Sequence, residues 1–220
     1  MASDGADDCA GRQTESEIKY TLPAREDFDR LAGTDGFTGH VRVDLLTNHY
    51  FDTQELLVSR SMSMLRLRCS TELALLTLKV GSEIETGYFR SLEVEAPLDL
   101  TLAQRILRDP KTLDALDLEP LREFRVRFGR LSLLCVGSME NERALYRAGS
   151  FLVEVDRMVF PDGTEAYEVE IETEEPDRAR AWLEGELRRL GVRAQPSRIT
   201  KFGRLVEWMR ARPRSMRPFR

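Results

Sequence analysis

Residues 15–19 place Glu15, Glu17 and Lys19 at alternate positions, with Ser16 and Ile18 between them. In a β-strand such a run sends two carboxylates and an ammonium out of one face, because successive side chains point to opposite sides. Adjacent carboxylates repel unless a cation lies between them, and clustered hard oxygen ligands suit Mg²⁺ or Mn²⁺. A lone acidic-basic alternation is most simply a solvated edge strand. This one recurs: Arg66 and Arg68, Glu93 and Glu95, Glu154 and Asp156, and Glu168, Glu170 and Glu172 are each spaced by two.

A chain of 220 residues, 41% hydrophobic and 32% charged, is long enough for one good core and predicts one domain. Its net charge of −5 argues against non-specific nucleic-acid binding. Cys9, Cys69 and Cys135 are far apart and odd in number, which predicts free thiols in a reducing compartment and no zinc site. No apolar run approaches membrane-spanning length. The acidic leader lacks the apolar stretch of a secretory signal, so a cytoplasmic location is expected.

Pro23 opens a first short helix that closes at Gly33. Residues 41–46 read as a strand, and 48–53 as a turn with a short extended segment. His40 and His49 have no partner His or Cys at metal spacing, and surface or capping roles are expected for both. Residues 64–69 form a strand with Arg66 and Arg68 on one face. Parallel guanidiniums make a poor dry core and a good grip on phosphate oxygens. Residues 74–80 are apolar on both sides until Lys79, and a turn follows around Gly81 and Gly87 before the strand 89–95.

Thr101 to Gln104 has capping-box spacing for a helix that Pro110 stops. A second helix runs from Pro120 to about Gly129. Its Arg122, Arg125 and Arg127, with Arg130 beyond, are scattered around the axis, as on a solvated face. Strands are expected at 131–136, 141–147, 151–156 and 167–172. A helix from Pro176 to Gly191 carries Trp182 in its apolar stripe.

About nine strands with few helices suggest an antiparallel sheet closing on itself, since closure removes exposed edges. One face is apolar: Leu65, Leu67, Leu92, Val153, Val155, Val169 and Ile171. The other collects Glu15, Glu17, Lys19, Arg66, Arg68, Lys79, Glu93, Arg143, Asp156, Glu168 and Glu170. Removing a charge from water costs several kcal/mol even after relaxation, roughly, so that face is no dry interior. It is either the outside of an open sheet or the lining of a wide, wet barrel.

The chain resembles the CYTH, or triphosphate tunnel metalloenzyme, superfamily. Glu15-Ser16-Glu17-Ile18-Lys19 matches its E-x-E-x-K signature. The resemblance continues through Tyr50-Phe51-Asp52-Thr53, Arg66 and Arg68, Lys79, Arg90 with Glu93, Asp156, Glu168 and Glu170, and Thr200-Lys201-Phe202. It is closest to the plant-type members, which hydrolyse inorganic tripolyphosphate, and it also touches thiamine triphosphatase.

The resemblance implies an α+β fold, an eight-stranded antiparallel β-barrel tunnel with surrounding helices, open at both ends and monomeric. The tunnel domain spans 15–210, between a flexible polar leader at 1–14 and a flexible basic tail at 211–220. Glu15, Glu17, Glu168, Glu170 and Asp156 would hold Mg²⁺, or Mn²⁺. Arg66, Arg68, Lys79, Glu93, Arg143, Asp156, Lys201 and Lys19 would bind substrate, and Glu15, Glu17, Lys19, Glu168, Glu170 and Lys201 would act in catalysis. Arg125 or Arg127 replaces Arg143 if the preceding helix is a strand, and Glu95 rivals Glu93. The implied reaction converts tripolyphosphate to pyrophosphate and phosphate, with no nucleic-acid or membrane partner. Thiamine triphosphate hydrolysis, adenylyl cyclase-like or RNA 5′-triphosphatase activity, and non-catalytic polyphosphate binding are the alternatives. An organic substrate would need an aromatic platform, for which Tyr20, Tyr50 and Phe51 are the candidates.

Overall fold

The computed structural model describes residues 11–33 and 37–211. Eight strands close into an antiparallel barrel: β1 (Arg12–Leu22), β2 (His40–Asp52), β3 (Ser63–Cys69), β4 (Ala74–Glu85), β5 (Tyr88–Leu98), β6 (Leu134–Ala148), β7 (Phe151–Val159) and β8 (Glu165–Glu172). Around the ring they run β5-β4-β3-β2-β6-β7-β8-β1, and β1 pairs back onto β5. A two-residue β9 (Gln195–Pro196) adds to β1. The expected leader and tail fall outside the described residues, except that β1 already begins at Arg12.

Alternation sorts the two sides of the barrel wall. On β1, Ile18, Tyr20 and Leu22 point outward into a buried cluster with Val153, Val155, Val169 and Ile171. Helices α1 (Arg25–Ala32) and α5 (Pro176–Arg189) cover it with Phe28, Leu31, Ala179, Leu183 and Leu187. Trp182 stacks on Phe37 at 6.0 Å and lies 5.2 Å from the Phe151 ring, a packing role. The outer face of β2 to β4 contributes Phe51, Leu65, Leu67, Leu76 and Leu78 to a second core. It lies under α3 (Leu100–Arg108) and α4 (Glu119–Phe128).

Several boundaries differ from those read in the sequence. Residues 48–53 do not turn: β2 is one strand of 13 residues, with Asn48 and Tyr50 inward and His49 and Phe51 outward, paired to β3 and β6. The separate strands expected at 131–136 and 141–147 are one 15-residue β6. Gly81 is no turn. It lies within β4 at a register shift, where a Cβ would come 2.5 Å from the Met62 carbonyl oxygen that accepts the Gly81 N–H. Gly87, at φ +78°, makes the turn. α3 starts two residues early, because Asp99 rather than Thr101 is its N-cap and accepts the free N–H of Leu102. A short helix α2 (Leu57–Arg60) is anchored by Asp52, whose carboxylate accepts from the N–H groups of Thr53, Val58 and Ser59.

The tunnel is not open at both ends. Helix α6 (Lys201–Arg210) follows α5 and packs Phe202, Leu205 and Met209 with Tyr50, Met139 and Met158, which belong to the inner face. Phe202 stacks on Tyr50 at 4.6 Å, and the absent side chain of Gly137 leaves room for Leu205. Thr200 caps α6 by accepting the Gly203 N–H. The cap fixes Lys201 at the first helical position, facing the tunnel.

Candidate active site

Two groups of charges line the tunnel. On the β1, β3, β4 and β5 side, the Lys79 ammonium contacts Glu15 and lies 3.5 Å from Glu93 Oε2. Arg66 Nη2 is 3.6 Å from Glu93 and 3.9 Å from Glu95. Thr77 Oγ1 donates to Glu95 at 2.6 Å and accepts from Arg66. Glu93 and Glu95 thus both face inward. Arg68 is different. Its Nε donates to Asn48 Oδ1 at 3.1 Å, and no carboxylate lies within 4 Å of it among the described residues. Burial, with Arg66 and then Arg143 nearby, pulls its guanidinium down to about 10.

The other group is denser. Lys19 Nζ lies 2.9 Å from Glu17 and 2.8 Å from Glu170, over the Phe89 ring. Arg143 grips Asp156 with two hydrogen bonds of 2.9 and 2.8 Å and also reaches Glu154 at 2.5 Å and Glu170 at 3.4 Å. Lys201 reaches across from α6 to Asp156 at 2.9 Å, Glu168 at 3.3 Å and Glu170. Arg204, one turn along α6, donates to Glu168 at 2.6 Å and to Thr21 Oγ1 at 2.5 Å. Arg125 and Arg127 are not rivals for Arg143, because both sit on the helix α4. Arg125 donates there to the carbonyls of Leu113, Asp114 and Leu116, and Arg127 pairs with Glu123.

The carboxylates respond unequally. Burial would push Glu170 up, but Lys19, Lys201 and Arg143 overcome it and hold the group well below the usual range. Asp156, buried beside Arg143 and Lys201, is held down at about 2. Glu154 is pushed up to about 7 by burial, with Asp156 and Glu170 adding to it against Arg143. Glu172, exposed at the end of β8, is raised by the neighbouring Glu15 and Glu154, and burial raises Glu15 and Glu168.

On this wall the carboxylates of Glu17, Glu154, Asp156, Glu168 and Glu170 outnumber the cations Lys19, Arg143, Lys201 and Arg204, so the side-chain cations do not neutralise it. A divalent cation with hard oxygen ligands fits it. Oxygens of Glu154, Asp156 and Glu170 lie within 4.8 Å of one another and could hold such an ion.

Glu15, Glu17, Lys19, Arg66, Arg68, Lys79, Glu93, Arg143, Asp156, Glu168 and Glu170 line this tunnel, and Lys201 joins them by way of α6. Glu154, Glu172, Asn48 and Arg204 were missed as site residues. The spacing of two carried the signal for Glu154 and Glu172, and Arg204 lies three residues from Lys201, hence on the same helix face. His40 packs on Tyr146, and half-buried His49 points away from the tunnel, so neither joins the site. Cys69 and Cys135 are free thiols, and Cys9 lies outside the described residues. No helix among the described residues is long and apolar enough to cross a membrane.

A family model for the CYTH domain matches residues 13–202. The chain belongs to the CYTH domain family. Solved structures agree with that assignment. HpAC1 from Hippeastrum, named as an adenylyl cyclase with a dominant triphosphatase activity, is 27% identical with a TM-score of 0.79, and the match covers 88% of this chain and 96% of that one. A Bacillus halodurans protein named for an adenylate cyclase shares the fold at 23% identity and a TM-score of 0.68, with 87% and 97% covered. A Pyrococcus horikoshii protein, PH1819, shares it at 20% identity and 0.56, with 87% and 99% covered. No curated protein matches the chain.

Proposed function

We propose that this CYTH protein is a metal-dependent hydrolase that removes the terminal phosphate of a linear triphosphate, with inorganic tripolyphosphate as its substrate and pyrophosphate and phosphate as products. The observation that carries the reading is Arg68, a guanidinium inside the tunnel with no carboxylate in contact and a lowered proton affinity. An anionic ligand would satisfy it, and Arg66, two residues away on β3, and Lys79, further along on the neighbouring β4, would share the charge of a chain of phosphates. The triphosphatase activity named for the Hippeastrum protein supports the same reaction class.

Glu15, Glu17, Glu168 and Glu170, with Asp156 and Glu154, would hold Mg²⁺ or Mn²⁺. When bound there, the cation would supply charge stabilisation and orient a water for in-line attack. The chain's own work is positioning. Arg66, Arg68 and Lys79 would fix the phosphate oxygens, and Glu93 would hold Arg66 and Lys79 in place. Lys19, Arg143 and Lys201 would offset the charge that gathers on the leaving diphosphate. No Ser, Cys or His nucleophile is needed.

The aromatic candidates for an organic group are all engaged elsewhere. Tyr50 is stacked on Phe202, Phe51 lies in the outer core, and Tyr20 is buried outside the barrel with its hydroxyl donated to Glu184. This favours an inorganic triphosphate over thiamine triphosphate or ATP. Retention of the acidic groups favours turnover over simple anion binding, for which bases would suffice.

The test is phosphate release from tripolyphosphate, thiamine triphosphate, ATP and pyrophosphate, each with Mg²⁺, with Mn²⁺ and with chelator. Metal-dependent release, fastest from tripolyphosphate, is expected. Preference for thiamine triphosphate or ATP would overturn the substrate assignment. Silence on all four, with tripolyphosphate still raising Tm, would leave a binding module.

A further inference from the structure

Along β2 the two edges are treated differently. One edge pairs with β6 along the strand, from His40 opposite Tyr146 to Asp52 opposite Leu134, with register shifts at Val41 and between Tyr50 and Phe51. On the other edge β3 pairs only from Thr47 to Phe51, so residues 40–46 have no strand beside them among the described residues. This half of β2 lies at the end of the barrel away from α6.

An uncovered edge offers a row of backbone donors and acceptors, and natural proteins usually blunt such edges with charge, proline or a bulge. A bulge at Val41 interrupts the far end of this segment, and beyond it, from Arg42 to Leu46, the outward face is apolar. Val41 is 42%, Val43 48% and Leu45 69% exposed, three of the large hydrophobic side chains left in water. Arg42 and Asp44 share the opposite face, where Arg42 Nε lies 2.9 Å from Asp44 Oδ2.

The segment is complementary to itself in one register. Laid antiparallel on a second copy about an axis through Val43, it sets Val43 against Val43 and Arg42 against Asp44 of the other copy, with Leu45 reaching toward the bulge at Val41. Moving the axis one residue sets Asp44 against Asp44 or Arg42 against Arg42, like charges directly opposed. A two-fold axis gives each copy the same patch, as an isologous dimer requires. We infer that residues 40–46 form a dimer edge, joining the barrels of two copies of this chain through antiparallel β2–β2 pairing centred on Val43. This replaces the monomer expected from the sequence.

Sedimentation equilibrium or light scattering on the full chain tests it, with R42D, D44R, V43K and the double swap R42D/D44R beside the unaltered protein. The unaltered chain is expected to reach twice its 25.3 kDa mass. Each single charge swap sets like charges across the axis and should weaken association about tenfold or more, and the double swap should restore it. V43K, which sets two ammonium groups at the axis from an exposed position, should also give monomer, and circular dichroism checks that each variant is folded. A chain that stays at the monomer mass at every concentration would overturn the inference, as it would if one of its own segments covered the edge. Association unchanged by the swaps and by V43K would overturn it too.

Discussion

The two walls of the tunnel carry similar residue types and are left in opposite electrostatic states. Across β6, β7 and β8, with Lys19 from β1 and α6 behind them, every cation lies against carboxylates: Lys19, Arg143, Lys201 and Arg204 share Glu17, Glu154, Asp156, Glu168 and Glu170. Acid is in excess there, with five carboxylates against four cations. Across β3 and β4 the balance differs at Arg68, which donates to Asn48 and has no carboxylate within 4 Å among the described residues. In an eight-strand ring β3 and β8 are four strands apart, so Arg68 and the carboxylates of Glu168 and Glu170 stand on opposite sides of the ring. A protein built only for stability would pair them. Kept apart, they leave room for a metal on one wall and a polyanion on the other.

The largest blow to this division is expected at Glu170, the carboxylate shared by Lys19, Lys201 and Arg143. Glu170→Gln should lower phosphate release at least about 100-fold, the scale of losing one key electrostatic partner. It should also reduce stability by about 3 kcal/mol, because buried cations lose their counter-charge. Circular dichroism should still report the native fold; loss of the fold would make Glu170 a structural residue alone.

Glu154 sharpens the comparison through pH. Its folded pKa of about 7 lies above the ordinary 4.5, so the native state holds the proton longer than the unfolded chain does. Stability should therefore fall as pH rises from about 4.5 to 7 in chelator, by about 3 kcal/mol in total. Glu154→Gln should remove that fall. Identical pH profiles for the variant and the unaltered protein would remove the acid excess on that wall.

The smallest effect belongs outside the tunnel. Arg122 pairs with Asp117 at 2.6 Å and Glu119 at 3.1 Å, yet it is exposed on α4. Arg122→Ala should leave Tm and KM unchanged. Should it match a tunnel arginine in its effect on KM, the separation of inner from outer faces would fail.

How much of this could be read in advance depended on the range of the interactions. Glu15, Glu17 and Lys19, or Glu168 and Glu170, declare a shared face through strand alternation, which is local. The long β2 and β6 were broken in the sequence reading, because Asn48, His49, Gly137 and Ser138 look like turn residues. Their strand state comes from pairing on both sides and, at Gly137, from the close approach of α6. The plugged end was not legible, since nothing in the apolar pattern of α6 says that Phe202 and Leu205 enter the barrel rather than cover its outside. Lys201 reached the site reading through family resemblance, whereas Glu154 was visible in its own strand and left out.

Calorimetric titration of tripolyphosphate into the chelator-treated protein and into Arg68→Ala tests the central claim most directly. One tripolyphosphate per chain, with affinity at least about tenfold weaker in the variant, is the expected result. Equal affinity in both would contradict the account, because the cation without an acid would then have no ligand to serve.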